Sequence, residues 1–233
     1  MLTGSPPITP RLSIIVPTLN EAAGIVETLG ALQPLRARGV EVVVTDGGSA
    51  DGTAELARSL ADAVVEAPRG RASQQNAGAE RASGAVLLFL HADTRLPDVA
   101  DALVLGGLER GGRGWGRFDV RLTGRAPMLR VVERMISARS RLSGIATGDQ
   151  AIFVRRDWFQ RAGGFPAIPL MEDVALSRAL KAMGPPLCIR TPVVTSSRRW
   201  ETRGVWRTIV LMWRLRWAYW RGVDPAVLAE RYR

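Results

Sequence analysis

The chain contains very few of the residues on which disulfides and many metal clusters depend. Among its 233 residues, Cys188 is the only cysteine and His91 is the only histidine. One thiol excludes an internal disulfide and a thiolate metal cluster, and one imidazole excludes any metal site that needs two histidines. A hydrolase with a Ser-His-Asp triad would have to use His91 as its base.

Long hydrophobic runs are also absent. No stretch of 18 or more apolar residues occurs, so we do not expect a membrane-spanning helix. Residues 1–10 lack the basic and apolar regions of a signal peptide, and we therefore expect a cytoplasmic protein. The formal net charge of +10 favours anionic partners: nucleotides, nucleic acid or acidic lipid headgroups.

Apolar and amphipathic segments alternate along the first ninety residues. Segments that are β-branched or apolar at their centres predict strands at 12–16, 41–45, 63–65 and 86–90. Helical spacing predicts helices at 21–33, 53–61 and 71–83, with Asn20 and Asp51 as N-caps. This alternation indicates an α/β fold with a doubly wound, mainly parallel sheet and helices on both faces.

The second half of the chain has a less regular pattern. Further strands are predicted at 115–122, 151–154 and 187–194, and further helices at 127–142, 172–183 and 204–221. Pro192 suggests that the last strand lies at an edge or ends there. We predict a flexible leader at 1–10, one main domain at 11–202 and a C-terminal helical extension, rich in Trp and Arg, at 203–233.

Three acidic residues follow predicted strands. Glu21, Asp46 and Asp93 each come after a strand, and ligands of open parallel sheets bind at the carboxyl ends of the strands. Each acid alone is also compatible with a helix cap or a turn. Because carboxylates repel phosphate, the three together indicate a nucleotide diphosphate bound through a hard cation, Mg²⁺ or Mn²⁺.

Familiar nucleotide and calcium motifs are missing. The turn that begins at Asp46 fails as an EF-hand loop, since Gly48, Ala50 and Ala57 stand where calcium needs oxygen ligands. The chain has no Walker A sequence, and no G-x-G-x-x-G follows the first strand. These absences disfavour P-loop NTPases and nicotinamide-dependent enzymes.

Five segments, in order, resemble glycosyltransferase family 2, whose members have the GT-A fold. They lie at 12–21, 46–49, 70–78, 91–93, and 148–150 with 172–173. The likeness covers about residues 12–200, and the ending with Gly-Val-Asp-Pro at 222–225 and Tyr-Arg at 232–233 resembles a subgroup of small bacterial members. The resemblance implies a GT-A catalytic domain at 11–202.

The resemblance also implies an inverting, metal-assisted sugar transfer from a UDP- or GDP-linked donor to an acceptor hydroxyl. Asp173 would be the general base, and Asp93 would bind the metal together with His91, which stands in place of the usual first acid of Asp-x-Asp. The nucleotide would contact Pro17, Thr18, Glu21, Asp46, Arg71, Ala92 and Asp93. The acceptor and sugar side would comprise Gly148, Asp149, Gln150, Glu172, Arg198, Arg199 and Trp200.

Several alternatives stay open at this point. His91 ligates the metal, hydrogen-bonds a ribose or phosphate oxygen, or merely fills a strand end. Glu172 and Asp173 also suit the start of a helix, where the dipole favours acids. Other functions are a nucleotidyltransferase, or a non-catalytic basic protein that binds nucleic acid or membrane; with a nucleotide-sugar donor we expect no nucleic-acid partner.

The helix predicted at 204–221 has two kinds of residue on adjacent stripes. Aromatic and apolar residues form one stripe, and Arg207, Arg214 and Arg221 recur beside it every seven residues. Members of the first stripe are Trp206, Val210, Trp213, Trp217 and Trp220. This mixture suits peripheral contact with the inner face of a membrane and a lipid-linked acceptor, but also packing on the core or on a second subunit of a homodimer.

Overall fold

The computed structural model describes residues 11–232, so the leader predicted at residues 1–10 lies outside the described residues. The strands in this range are β1 (Leu12–Thr18), β2 (Glu41–Asp46), β3 (Ala63–Glu66), β4 (Val86–Phe89), β5 (Thr94–Arg95), β6 (Trp115–Leu122), β7 (Phe153–Arg155) and β8 (Leu187–Thr195). They form one sheet in the order β3-β2-β1-β4-β7-β6-β8-β5.

Ten α-helices lie in the described range. They are α1 (Ala22–Arg36), α2 (Thr53–Arg58), α3 (Arg71–Arg81), α4 (Ala100–Gly111), α5 (Pro127–Ser143), α6 (Arg156–Arg161), α7 (Glu172–Met183), α8 (Arg198–Arg203), α9 (Val205–Trp220) and α10 (Pro225–Tyr232). A short 3₁₀ turn spans Gly148–Gln150. The helices predicted in the second half are present, whereas α4, α6, α8 and α10 were not predicted.

The sheet is mainly parallel, as predicted. β1 pairs in parallel with β2 and β4, and β2 with β3, whereas β7 runs antiparallel to both of its neighbours. Ile14 and Val16 pack with side chains of α1 and α4, while Ile15 between them packs with those of α3 and α7. Since successive side chains of a strand point to opposite faces, helices cover both faces of the sheet.

Two local predictions need correction. Asn20 does not cap α1: its backbone is left-handed (φ 54°), and its side-chain oxygen accepts a hydrogen bond from Ala50 N. The carboxylate of Asp51 instead accepts from the first amides of two helices, Ala22 N at 3.0 Å and Thr53 N at 3.1 Å. One acid from the β2–α2 loop therefore holds the starts of both α1 and α2.

Pro192 neither ends β8 nor places it at the edge of the sheet. β8 lies between β6 and the short β5, and its register with β6 shifts so that Phe118 pairs with Ile189 and Asp119 with Pro192. A bulge accommodates the missing proline N–H within the ladder.

The C-terminal helices pack on the rest of the protein. Leu215 of α9 and Leu228 of α10 join Leu170 and Met171 in a small core beside the start of α7. Ile209 of α9 packs on a second cluster formed by β6 and α5. Of the described helices, none combines the length and the hydrophobicity that crossing a bilayer requires.

Candidate active site

A cavity of about 990 Å³ lies at the carboxyl ends of β1 and β4. The sheet, α3, α5 and α7 form its walls, and α8, α9 and Tyr232 close it from the C-terminal side. Most of the site residues predicted from the sequence line it: Pro17, Thr18, Glu21, Arg71, His91, Ala92, Asp93, Gly148, Asp149, Glu172, Asp173, Arg198, Arg199 and Trp200. The predicted residues that lie outside its lining are Asp46 and Gln150.

Asp46 is buried behind the cavity wall. Its carboxylate accepts hydrogen bonds from the Thr18 hydroxyl at 3.2 Å, Gly48 N at 3.0 Å and Ser49 N at 2.7 Å. Burial acts to raise the pKa of Asp46, but the hydrogen bonds, led by those from Ser49, outweigh it and lower the pKa. Asp46 therefore shapes the turn after β2 and positions Thr18, which does line the cavity.

Gln150 has a similar supporting position. It is fully buried, and its side chain and Thr147 form a reciprocal capping box around the 3₁₀ turn. The structure thus brings Gly148 and Asp149 to the cavity and keeps Gln150 behind them.

Two carboxylates meet at the end of the cavity nearest β1 and β4. Asp93 follows β4 and is held in place because Thr94 donates to Thr195 on β8, at 2.9 Å. Burial and the charge of Asp93 raise the pKa of Glu21, so the two carboxylates repel each other. A bound cation would relieve this repulsion.

The residues at this end suit a cation that is shared with a ligand. Across residues 11–232, no three His, Cys, Asp or Glu side chains converge into a metal cluster. Mg²⁺ is commonly bound by one or two carboxylates, substrate phosphates and water, and Mn²⁺ takes the same oxygen ligands. Asp93, with His91 beside it, fits that requirement.

His91 lies between the acidic end and the 3₁₀ turn. A Cβ atom on Gly148 would lie 2.5 Å from its Nε2, so only glycine leaves room for the imidazole. Burial and the nearby charge of Arg71 lower the pKa of His91 to about 3. The imidazole is therefore neutral at physiological pH and keeps one nitrogen lone pair for a metal or a hydrogen bond.

Arginines surround the middle of the cavity. Arg71 starts α3, which is anchored because Gln74 donates to the carbonyl oxygens of Thr18 at 2.7 Å and Thr45 at 2.9 Å. The Arg199 guanidinium lies 4.0 Å from the ring centroid of Tyr232, and its buried Nη1 has no hydrogen-bond partner within the part of the chain that the structure describes. Such cations suit a diphosphate.

Glu172 and Asp173 lie in the first turn of α7, where the charge of Arg71 acts on both. Asp173 Oδ2 accepts from Gly148 N at 2.8 Å, and Oδ1 accepts from Val174 N at 2.7 Å. Burial, together with the carboxylate of Asp149, raises the pKa of Asp173 despite these hydrogen bonds. Burial and the charge of Asp173 raise the pKa of Glu172 to about 7.

Three non-glycine residues with left-handed backbones lie at the edges of this site. They are Asn20 (φ 54°) before Glu21, Ala151 (φ 46°) after the 3₁₀ turn and Met171 (φ 68°) before α7. Such conformations cost about 1–2 kcal/mol each for residues with a Cβ, asparagine being the most tolerant. Their position beside the predicted motifs is typical of functional sites.

Among the cavity residues that sequence reasoning missed are two arginines, Arg139 of α5 and Arg216 of α9. The seven-residue spacing in α9 drew attention to Arg207, Arg214 and Arg221, which are exposed. The inward face of α9 carries Thr208, Met212 and Arg216 instead, which recur every four residues. That spacing was present in the sequence, whereas nothing distinguished Arg139 from its neighbours.

Comparison with known proteins gives three findings. The sequence profile of "Glycosyl transferase family 2" matches residues 13–155. Glycosyltransferase AglE of Haloferax volcanii is 38% identical over 93 residues, which cover 36% of this chain and 31% of AglE. The chain spans less than half of the length of the curated relatives it matches.

Solved structures give the same result for the fold. The mannosyltransferase PcManGT of Pyrobaculum calidifontis, in complex with GDP-Man and Mn²⁺, has a TM-score of 0.63 and 28% identity, covering 82% of this chain and 57% of that one. TarS 1–349 of S. aureus in complex with UDP has a TM-score of 0.65 at 20% identity, covering 80% and 60%. These likenesses confirm the predicted fold.

Proposed function

Because the chain belongs to glycosyltransferase family 2, we propose that it moves a sugar from a nucleotide-diphosphate donor to an acceptor hydroxyl, with inversion at the anomeric carbon. One observation carries the proposal: a single cavity has an acidic, metal-suited end at Asp93 and the half-buried carboxylate of Asp173, and it also holds Arg71, whose charge acts on Glu21 and on Asp173. The catalytic unit is residues 11–202, and residues 203–232 complete its cavity.

The nucleotide occupies the end of the cavity formed by β1 and β4. Pro17, Thr18 and Glu21 contact the nucleoside, where carboxylate and hydroxyl oxygens accept hydrogen bonds from ribose or base. Arg71 and Arg199 bind the diphosphate. The donor is UDP- or GDP-linked; PcManGT with GDP-Man and TarS with UDP support this nucleotide range.

Asp93 and His91 would hold Mg²⁺ or Mn²⁺ together with the diphosphate, as the Mn²⁺ bound in PcManGT supports. The ion, when bound, offsets negative charge on the departing diphosphate. The neutral His91 contributes a lone pair without adding positive charge. Arg71 and Arg199 neutralise the remaining charge of the diphosphate from the protein side.

Asp173 takes the proton of the acceptor hydroxyl. As that oxygen attacks the anomeric carbon, its O–H proton passes to an Asp173 oxygen while the bond from the sugar to the diphosphate breaks. Each Asp173 oxygen accepts one backbone hydrogen bond, so each keeps a second lone-pair direction for the acceptor. A raised pKa makes this carboxylate a stronger base than an exposed aspartate.

Two substitutions separate donor binding from transfer. We expect Asp93→Ala to lose the metal-dependent part of UDP or GDP binding, measured by thermal shift with and without Mn²⁺. Asp173→Asn should bind the donor normally and lose transfer, measured by mass detection over common nucleotide sugars and acceptors. Asp98→Ala, at an exposed acid outside the cavity lining, is the control.

The outcomes also decide between functions. Normal turnover by Asp173→Asn would contradict the base assignment. Release of pyrophosphate from a nucleoside triphosphate would indicate a nucleotidyltransferase. If no nucleotide shifts the melting temperature, the result would favour a non-catalytic basic protein that binds nucleic acid or membrane.

We also propose that α9 contacts the inner, anionic face of a membrane, which would suit a lipid-linked acceptor. Its four tryptophans are 61–74% exposed, namely Trp206, Trp213, Trp217 and Trp220. Arg207, Arg214 and Arg221 flank them, and exposed tryptophans beside arginines suit lipid headgroups. Trp213 also lines the cavity, so this surface leads directly to the site.

Vesicle sedimentation tests this contact. The protein should bind vesicles with anionic phosphatidylglycerol more tightly than neutral ones, and Trp217→Ser with Trp220→Ser should weaken binding at least tenfold. Arg110→Gln on α4 is the control. Absence of vesicle binding, with a homodimer in light scattering that the same substitutions dissociate, would assign the surface to a second copy instead.

A further inference from the structure

We infer that the acceptor carries an anionic group, a phosphate or a carboxylate, which Arg139 and Arg216 bind while the acceptor hydroxyl faces Asp173. The inference rests on the proposed function, because it names the substrate class for the acceptor end of that same cavity. The observation behind it is a pair of arginines on the cavity wall, neither of which forms an ion pair with a carboxylate of residues 11–232.

Arg139 is held in the wall of the cavity by weak contacts. Its guanidinium donates to the carbonyl oxygen of Ile145 at 3.3 Å and to the Thr147 hydroxyl at 3.4 Å, both at the long end of hydrogen-bond distances. Its Nε is buried and has no partner among residues 11–232. A buried guanidinium N–H without an acceptor is costly unless a ligand supplies one.

Arg216 faces the same space from α9 and adds a second positive charge. None of the ion pairs within residues 11–232 includes Arg139 or Arg216. Burial and the charge of Arg216 lower the pKa of Arg139 to about 10, so the two cations repel each other. An oxyanion between them would remove this repulsion and satisfy the Arg139 Nε.

These two arginines are separate from those proposed for the donor. The charges that act most strongly on Arg139 are Arg216, Asp149 and Asp173. Those that act on Arg199 are Arg71, Arg203 and Asp93. Arg139 and Arg199 therefore have different charged neighbours, and the diphosphate proposed to bind Arg71 and Arg199 does not account for the pair formed by Arg139 and Arg216.

The arrangement of charges positions the acceptor. An anion held by Arg139 and Arg216 leaves a hydroxyl of the same molecule near Asp173, whose charge acts on Arg139. Asp149, whose buried Oδ1 has no partner in the described part of the chain, can accept a further hydrogen bond from the acceptor. Neutral polyols lack the group that this end of the cavity requires.

Calorimetric titration of protein saturated with UDP and Mg²⁺ tests the inference. The probes are sn-glycerol 3-phosphate, D-glycerate, sn-glycero-3-phosphoglycerol and glycerol, which share hydroxyls and differ in charge. We expect anionic probes to bind and glycerol not to bind. Arg216→Gln should weaken the binding about tenfold to a hundredfold, the loss expected for one charged hydrogen-bond donor.

Three further variants make the result specific. Arg139→Gln should weaken anion binding to a similar extent, and Arg139→Lys, which keeps the charge, should recover part of it. Arg134→Gln removes an exposed arginine from α5, the helix that carries Arg139, and should leave the affinity unchanged, because Arg134 lies outside the cavity lining. If Arg139→Gln does not fold, Arg216→Gln still tests the inference. None of the hydrogen bonds found in residues 11–232 involves the side chain of Arg216, so this variant should fold.

The outcomes are distinguishable. Binding of the phosphomonoester or of glycerate supports a free anionic acceptor, and binding of the phosphodiester alone supports a lipid headgroup. Absence of anion binding, or anion binding that Arg216→Gln leaves intact, would overturn the inference and leave Asp149 as the counter-ion of Arg139. If UDP and Mg²⁺ themselves do not bind, the proposed function fails instead.

Discussion

The raised pKa of Glu172 makes the stability of the protein depend on pH in an unusual direction. Glu172 is 5% exposed at the start of α7, and burial and Asp173 raise its pKa from 4.5 to about 7. Between these values the folded protein keeps a proton that the unfolded chain has lost. Stability therefore decreases as pH rises from about 4.5 to 7, and the full loss amounts to about 3 kcal/mol.

Glu172→Gln removes this penalty while keeping the size of the side chain. We expect the free energy of unfolding of the variant to exceed that of the wild type by about 3 kcal/mol at pH 8.5, and by less than about 1 kcal/mol at pH 5. Urea denaturation at the two pH values, without nucleotide or metal, measures the difference. Glu80→Gln, at an exposed glutamate on α3, should change stability little at either pH.

An equal increase in the free energy of unfolding at pH 5 and at pH 8.5 would refute the reasoning, since it would show that the neutral amide simply packs better than the carboxyl group. No gain at pH 8.5 would show that Glu172 is ionised in the folded protein at little cost. A gain confined to high pH, together with weaker acceptor binding or slower transfer, would show that the buried acid is retained for function at the expense of stability.

One pH profile and three substitutions test the electrostatics of the site and the packing of the fold. Because burial raises the pKa of Asp173, kcat/KM should rise with pH along an acid limb placed above the usual aspartate range, and a flat profile there would contradict the base assignment. Arg156→Met should cost about 2–3 kcal/mol in urea denaturation, since its guanidinium donates to three backbone carbonyls around the end of α3, and an unchanged midpoint would mean that water replaces them. Gly78→Ala should cost about 1–3 kcal/mol, because its Cβ would lie 2.4 Å from Ile15 Cγ2. Gly24→Ala, which meets open space on α1, should instead be neutral or stabilising in the same assay.

The sequence predicted the parts of the fold that depend on local pattern. β1, β2 and β4 were found because their centres are apolar and β-branched, and the acids that follow β1 and β4, Glu21 and Asp93, line the cavity. α4 escaped prediction because Gly106 and Gly107 weaken its helical pattern. The structure explains the second glycine, since a Cβ there would lie 2.6 Å from Leu187 Cδ2 on β8.

What could not be predicted depends on contacts between distant segments. Asp51 holds the starts of two helices because the β2–α2 loop folds back over α1, which no local pattern reveals. Arg139 and Arg216 are 77 positions apart and meet only because α9 returns across α5. Arg139 and Arg216, at the proposed acceptor end, therefore follow from the tertiary structure, whereas Glu21 and Asp93, at the proposed donor end, follow from the strand ends.

Like charges repel each other at both ends of the cavity, negative charges at one end and positive charges at the other. A cation bound at the first end and an anion bound at the second would relieve both repulsions. At one end Glu21 and Asp93 repel each other, which a cation would relieve. At the other end Arg139 and Arg216 repel each other, which an anion would relieve. A metal-bound diphosphate would relieve only the repulsion between Glu21 and Asp93. With the donor alone bound, the repulsion between Arg139 and Arg216 would remain. A neutral acceptor would leave that repulsion in place, whereas an anionic acceptor would be drawn to the end of the cavity that holds Asp173, the proposed base.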